Sequence, residues 1–234
     1  RKHGLWLVPA TMNNQPAQAL LGTGSNVTSV HAPKGADSFP DVRVYIPPSN
    51  SNPVTVFANM PFQCLGLPIK SDLAMGSNFT GRQDIMRIPL TAIVGSPYLR
   101  HGAFVLDPSI AKIETVSSPV DSAKGVQLAV TWIDGAPRLP VTFPILGTRN
   151  VVFETGSTAY VDALERMGQL QKIKSSLKRQ SQAVREVSVL GDLSVLRFIE
   201  FGGIRFHNVP VVVADKDMIG LGLLAHFRTT LDFP

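Results

Sequence analysis

Cysteine is almost missing from the 234-residue chain, which contains only Cys64. A single thiol excludes an internal disulfide framework and a cysteine-rich metal site, and we expect it to behave as a small buried apolar residue. Long apolar runs are missing as well, so the sequence predicts no membrane-spanning helix and no membrane partner, and it leaves the compartment open. Charged residues make up only 17% and hydrophobic residues 44%, which excludes a disordered chain.

Aromatic residues are also scarce, at 7%, and none lies among the basic residues of segment 162–186. The net charge is +5, and much of the excess lies in residues 162–186, where Lys and Arg outnumber Asp and Glu. We interpret this segment as a solvated surface and expect no nucleic-acid partner, because the aromatic stacking platforms for single strands are missing. The histidines show no metal-ligand spacing, so we expect no metal and no cofactor.

Glycine and proline, with 19 and 18 residues, are common, as in proteins built from many short strands and turns. The predicted strands are Leu5–Val8, Ala17–Leu21, Val42–Ile46, Val54–Phe57, Val126–Trp132, Val151–Phe153, Leu196–Phe201 and Val209–Val213. Residues 159–181 carry apolar side chains at the 3–4 spacing of one longer helix. Leu99 and Leu224 each lie in a predicted single helical turn, and we expect His101 and His226, which follow them, to be exposed.

An internal repeat divides the chain into two similar halves. Gly95, Leu99, His101, Leu106 and Asp107 recur, at one constant offset, as Gly220, Leu224, His226, Leu231 and Asp232. Upstream of these positions, residues 21–25 (Leu-Gly-Thr-Gly-Ser) recur as residues 153–157 (Phe-Glu-Thr-Gly-Ser). The repeat predicts a duplicated domain with one unit at 1–117 and the other at 118–234, joined by a linker over 116–124.

The order of motifs in each half resembles that of the aspartic peptidases of the pepsin and retropepsin type. In that family an apolar strand runs into Asp-Thr-Gly-Ser or Asp-Thr-Gly-Ala, and a buried strand ending in Gly crosses behind the loop. The resemblance covers nearly the whole chain. It implies a mostly β, acid-protease fold of two β-barrel-like lobes related by a pseudo-twofold axis, with one longer helix in the second lobe. It also implies a cleft that binds a peptide or unfolded polypeptide in extended form, and since one chain supplies both lobes we expect a monomer.

The residues that support the two loops fit this expectation. They are Thr23, Gly24, Ser25, Thr155, Gly156 and Ser157. The glycines allow tight turns where two loops approach each other, and the threonine hydroxyls can bond the backbone of the opposite loop. The serine hydroxyls can bond the side chain before the Thr, while Gly95 and Gly220 leave space for each loop against a second strand. We therefore expect loops 22–25 and 154–157 to meet face to face, with Thr23 and Thr155 bonded across.

The two catalytic positions depart from the family pattern. The family has Asp at both, and the two carboxylates share a proton and activate water, whereas this chain has Gly22 and Glu154. Gly22 supplies no carboxylate, and the extra methylene of Glu154 displaces its oxygens by more than ~1 Å, enough to cost about 100-fold in rate. We expect the chain to be inactive as a peptidase. Three interpretations stay open: a natural pseudo-peptidase that binds peptides, a peptidase whose catalytic residues were replaced, and a structural or protein-interaction module.

A hairpin that covers the cleft is only weakly marked in the sequence. The segment between Val42 and Leu73 is the candidate flap, with Phe57, Met60 and Phe62 able to cover a peptide. The only tyrosine in this segment, Tyr45, precedes the expected hairpin tip, where pepsin-like enzymes carry one. This position favours a simpler, retropepsin-like lobe.

Overall fold

The computed structural model describes residues 5–31, 42–45, 54–58, 62–68, 73–100, 102–116, 125–144, 146–157, 159, 161–163, 171–172, 193–213 and 217–232. Within these ranges the chain is mostly β, with a sheet that curls into a half-barrel. The first-half strands are β1 (Leu7–Met12), β2 (Gln15–Leu21), β3 (Thr28–His31), β4 (Val42–Tyr45), β5 (Val54–Ala58), β6 (Phe62–Cys64), β7 (Leu67–Pro68), β8 (Leu73–Ser77), β9 (Leu90–Val94), β10 (Ala103–Asp107) and β11 (Lys112–Val116).

The remaining strands are β12 (Thr131–Ile133), β13 (Ala136–Phe143), β14 (Gly147–Phe153), β15 (Val161–Ala163), β16 (Gln171–Lys172), β17 (Leu193–Phe201), β18 (Ile204–Val213), β19 (Met218–Ile219) and β20 (Thr229–Leu231). Three short helices accompany them in the described ranges: α1 (Thr80–Met86), α2 (Ser96–Leu99) and α3 (Leu221–Leu224). None of the described helices is long and apolar enough to cross a membrane.

The strands form three sheets. The nine-stranded sheet has the order β4-β5-β8-β3-β9-β2-β1-β6-β7, and the eight-stranded sheet has the order β12-β13-β14-β19-β15-β18-β17-β16. Each of these sheets takes its strands from one side of the expected domain boundary, which itself lies outside the described residues. The third sheet, β11-β10-β20, takes strands from both halves.

The two large sheets share one pairing scheme. The order β4-β5-β8-β3-β9-β2-β1 in the first sheet corresponds to β16-β17-β18-β15-β19-β14-β13 in the second. The directions agree as well: β2–β9 and β14–β19 are parallel, β3–β8 and β15–β18 are parallel, and β3–β9 and β15–β19 are antiparallel. The sequence repeat is therefore also a repeat of strand order and strand direction.

One large cluster of buried apolar side chains fills the space between the elements. It includes Trp6, Tyr98 and Phe104 from the first half and Phe153 and Ile199 from the second. Burial of these side chains supplies the main driving force for folding, because each removes a large apolar surface from water. The strands that carry the repeated loops end inside this cluster, so the loops start from a rigid base.

Two sequence-based expectations for local structure are wrong. Residues 161–163 and 171–172 are strands, whereas a helix was predicted over 159–181; apart from Ala159, which is not helical, the rest of that segment lies outside the described residues. Val161 is fully buried and pairs with both β18 and β19, so pairing partners distant in sequence override the local apolar spacing. Residues 126–130 have no regular structure, and the expected strand begins only at Thr131.

Candidate functional site

The two Thr-Gly-Ser loops begin where β2 and β14 end. The Gly22 N–H donates to the carbonyl oxygen of Val94 at 3.0 Å, and the Glu154 N–H donates to that of Ile219 at 2.9 Å. Each loop therefore starts beside the last residue of a parallel neighbour strand, β9 or β19. The same hydrogen bond, made at equivalent positions of the repeat, sets the same starting direction for both loops.

The loops contact each other through Thr23 and Thr155, both of which are fully buried. The Thr23 N–H donates to Thr155 Oγ1 at 3.2 Å, and the Thr155 N–H donates to Thr23 Oγ1 at 3.0 Å. Each hydroxyl then donates across the interface, Thr23 to the Phe153 carbonyl at 2.5 Å and Thr155 to the Leu21 carbonyl at 2.9 Å. The expected contact between the loops is thus present as four reciprocal hydrogen bonds.

Gly95 and Gly220 sit directly behind the loops. A β-carbon added to Gly95 would lie 2.7 Å from the Ser25 carbonyl oxygen and closer still to that of Val27. One added to Gly220 would lie 3.0 Å from the Ser157 carbonyl oxygen and 2.5 Å from that of Ala159. Because backbone atoms cannot move away as a flexible side chain could, only glycine fits at either position.

The residue after each of these glycines holds the end of the loop in front of it. The Ser96 N–H donates to the Ser25 carbonyl at 2.8 Å, and the Leu221 N–H donates to the Ser157 carbonyl at 2.8 Å. Ser96 Oγ also hydrogen-bonds to the Ser25 carbonyl at 3.0 Å and to the carbonyl of Gly135, in the turn between β12 and β13. Sequence reasoning missed this link between the halves, because the equivalent residue of the repeat is a leucine and no motif marks it.

The loop serines make local bonds. Ser25 Oγ donates to the Val27 carbonyl at 2.7 Å, and Ser157 Oγ accepts the Ala159 N–H at 3.2 Å. Ser25 differs from the expectation that it bonds the side chain before the Thr, because Gly22 has no side chain to offer.

The partly buried Glu154 carboxylate lies between the two loops. Its Oε1 accepts the Gly156 N–H at 2.5 Å. A β-carbon added to Gly24, in the other loop, would lie 3.1 Å from Glu154 Cδ and closer still to Oε2. A β-carbon added to Gly22 would lie 3.8 Å from Oε1, so the place of the missing first carboxyl group adjoins the one that is present.

Behind the first loop, Tyr98 of α2 donates a hydrogen bond to the backbone carbonyl of Cys64 in β6. Burial raises the pKa of the Cys64 thiol from 9.0 to about 12, only partly offset by hydrogen bonding with Tyr98. Burial, and then the neighbouring Cys64, also raises the pKa of Tyr98. Both groups are therefore neutral, structural parts of the support behind the loop, and Cys64 is buried as expected.

The structure describes only part of the candidate flap. A hairpin is present, since β4 pairs antiparallel with β5, but its tip and Met60 lie outside the described residues. Phe57 and Phe62 are buried in the core, at 0% and 2% exposure. This differs from the expectation that their side chains cover a peptide, because the core takes up both rings.

Two other expectations concern histidines and metals. His226 is exposed, as expected, and His101 lies outside the described residues. Within the described ranges, no three His, Cys, Asp or Glu side chains lie together in a way that could hold a metal ion.

Comparison with known proteins adds no assignment. No protein family matches the sequence, and no curated protein matches it either.

Proposed function

We propose that this protein has the acid-protease fold and binds peptides in extended form, without cleaving them, in a cleft between two lobes. The observation that carries the proposal is the reciprocal bonding of Thr23 and Thr155 at the ends of two equivalent strands. In the acid-protease fold a contact of this kind joins two loops at the base of the inter-lobe cleft, and the residues that make it here are those of the repeated Thr-Gly-Ser motifs.

A pseudo-twofold relation between the lobes is supported by the way β10 pairs with β20. These strands are counterparts in the sequence repeat, and they pair antiparallel with Val105 opposite Thr230, which occupies the equivalent position. Antiparallel pairing of two equivalent strands about a common centre is what a twofold axis requires. The reciprocal threonine bonds obey the same rule, so two separate contacts support one axis.

The absence of cleavage follows from Gly22 and Glu154. Peptide hydrolysis by aspartic peptidases needs two carboxylates that share a proton, and in this chain the two positions supply one. Glu154 also holds its carboxylate against Gly24 and Gly156, in contact with both loops. Losing one member of a pair that acts as a unit costs several orders of magnitude in rate.

The binding proposal is tested with a library of unstructured ten-residue peptides and the wild-type chain. Fluorescence anisotropy identifies peptides that bind, and hydrogen–deuterium exchange then shows where amide protons become protected. We expect protection in loops 22–25 and 154–157. Absence of binding at concentrations up to about 1 mM, or protection confined to other regions, would favour the interaction-module interpretation and contradict peptide binding in the cleft.

The alternative of a peptidase with replaced residues is tested by Gly22→Asp combined with Glu154→Asp. If only two side chains are missing, the double variant should cleave unfolded polypeptide, with a pH optimum set by two carboxylates that share a proton. Either single variant should recover little, because the pair acts as a unit. A folded double variant that stays inert from about pH 3 to 8 excludes a latent peptidase site but leaves the binding proposal standing.

A further inference from the structure

We propose that Glu154 acts as a clasp that holds the two loops together: one carboxylate oxygen fixes its own loop and the other packs on the opposite loop. Glycine at position 24, and the absence of a side chain at position 22, make room for this carboxylate. The inference concerns the stability of the site, and it holds whether or not the cleft binds peptide.

The first half of the clasp lies within the loop that carries Glu154. Oε1 accepts the Gly156 N–H at 2.5 Å, which closes the side chain back onto its own backbone two residues later. This bond therefore fixes both the turn and the direction of the carboxyl group.

The second half of the clasp is the contact with the opposite loop. Oε2 lies so close to Gly24 that a β-carbon added there would overlap it, and that β-carbon would also lie 2.9 Å from Val152 Cγ1. An aspartate at position 154 is shorter by one methylene, so on the same backbone its oxygens lie further from Gly24. The extra methylene displaces the Glu154 oxygens from the position that catalysis needs. The same length allows the side chain to span the two loops.

Gly22 completes the arrangement by leaving the adjoining space free. The loops touch directly here, since a β-carbon added to Gly156 would lie 3.4 Å from Gly22 Cα. A β-carbon on Gly22 would lie 3.1 Å from Ile93 Cγ2, so a side chain there is already confined before it meets the carboxylate. An aspartate at position 22 would add a like charge within about 4–6 Å, the range in which carboxylates disfavour each other. Gly22 and Glu154 are thus a matched pair.

The test compares the unfolding equilibrium constants of three substitutions of Glu154, measured by urea titration at pH 7. Glu154→Gln keeps both the length and an acceptor, so we expect its constant to stay within about threefold of the wild type. Glu154→Asp loses the reach and Glu154→Ala loses both contacts, so each should raise the constant about tenfold or more. Glu114→Ala, on the exposed strand β11, is the matched control and should change it by less than about threefold.

Two results from the three Glu154 variants would contradict the proposed clasp. If Gln is as damaging as Ala, the charge of Glu154 and not its span stabilises the site. If Asp and Ala both behave like the wild type, neither contact contributes to stability.

A second measurement tests the contact across the loops. The β-carbon of Gly24→Ala clashes with the Glu154 carboxylate, so we compare the substitution in two backgrounds, a double-mutant cycle. The factor by which Gly24→Ala raises the unfolding constant should be about tenfold or more smaller in the Glu154→Ala background than in the wild type. Glu154→Ala should relieve only part of the destabilisation caused by Gly24→Ala, because the overlap with Val152 persists in both backgrounds. If the destabilisations caused by Gly24→Ala and Glu154→Ala simply add, the contact between Glu154 and Gly24 is contradicted.

If Gly24→Ala does not fold, amide hydrogen exchange replaces the comparison of the two backgrounds. Glu154→Ala should speed amide exchange in its own loop, at Gly156, and also in the opposite loop, at residues 24–25. If exchange becomes faster in loop 154–157 alone, Glu154 stabilises only its own loop, and the proposed clasp is refuted. Peptide binding is measured separately, so failure of the clasp does not bear on the proposed function.

Discussion

Replacing Thr23 by valine tests the loop contact, because valine has nearly the same shape and lacks the hydroxyl. The substitution removes two of the four reciprocal hydrogen bonds: the one that Thr23 Oγ1 donates to the Phe153 carbonyl and the one that it accepts from the Thr155 N–H. Both backbone groups lie in the buried centre of the structure and would lose these partners.

The expected cost follows from the number of groups left unpaired. A buried donor or acceptor without a partner costs about 1–3 kcal/mol, so two of them cost about 2–6 kcal/mol if neither finds a new partner. We expect the free energy of unfolding to fall by about 3 kcal/mol, a large part of the 5–15 kcal/mol that typical domains possess. Thr155→Val should behave alike, since it unpairs the Leu21 carbonyl and the Thr23 N–H.

Urea titration followed by circular dichroism is the assay. With a slope of about 2–3 kcal/mol per molar urea, the midpoint should fall by about 1–1.5 M. Thr23→Ser is the first control, because it keeps the hydroxyl and should cost only about 1 kcal/mol for the lost methyl group. Thr148→Val is the second, since in the described contacts the exposed hydroxyl of Thr148 bonds only the hydroxyl of the half-buried Thr142.

The reasoning would be refuted by a Thr23→Val variant that unfolds at the same urea concentration as Thr148→Val. It would also be refuted if Thr23→Ser were as damaging as Thr23→Val, because the methyl group and not the hydroxyl would then hold the loops together.

Three further predictions concern the surroundings of the loops. Gly95→Ala should destabilise the protein by more than about 2 kcal/mol, because its β-carbon meets backbone that cannot move aside, whereas Gly125→Ala, with open space around it, should be near neutral in thermal unfolding. Cys64 should resist alkylation at pH 8 until the chain unfolds; since its folded pKa is about 12 against an ordinary 9.0, the wild type should lose more stability from pH 9 towards pH 12 than Cys64→Ala, in which Tyr98 still titrates. Hydrogen bonding from the Ser109 side chain lowers the pKa of Asp107 below 3.8, so Asp107→Asn should destabilise the protein at pH 7, and the difference in stability should shrink as the pH falls through that lowered pKa.

The loop contact could be predicted from the sequence because its signal is local and occurs twice. The Thr-Gly-Ser motifs and the glycines that follow them need no knowledge of the rest of the chain, and the repeat pairs them. The strands that lead into the loops end in short continuous apolar runs, which are typical of buried strands. Thr23 and Thr155, Gly95 and Gly220 could therefore be assigned in advance.

What could not be predicted depends on contacts distant in sequence. The apolar spacing around Val161 fits a helix, and only pairing with β18 and β19 makes it a strand. Phe57 and Phe62 are apolar residues in a hairpin region, and the sequence does not reveal that the core takes up both rings. The reach of Glu154 to Gly24 depends on the gap between the loops, which a motif does not specify.

The pairing of β20 with β10 has a consequence for the order of synthesis. Strands β10 and β11 can form their hairpin as soon as they leave the ribosome, but the third strand of their sheet is made only after nearly all of the second half. Until then, the edge of β10 that β20 covers lacks this partner and can pair with another chain. Closing so long a connection is slow, so the nascent first half is the species most exposed to misassociation.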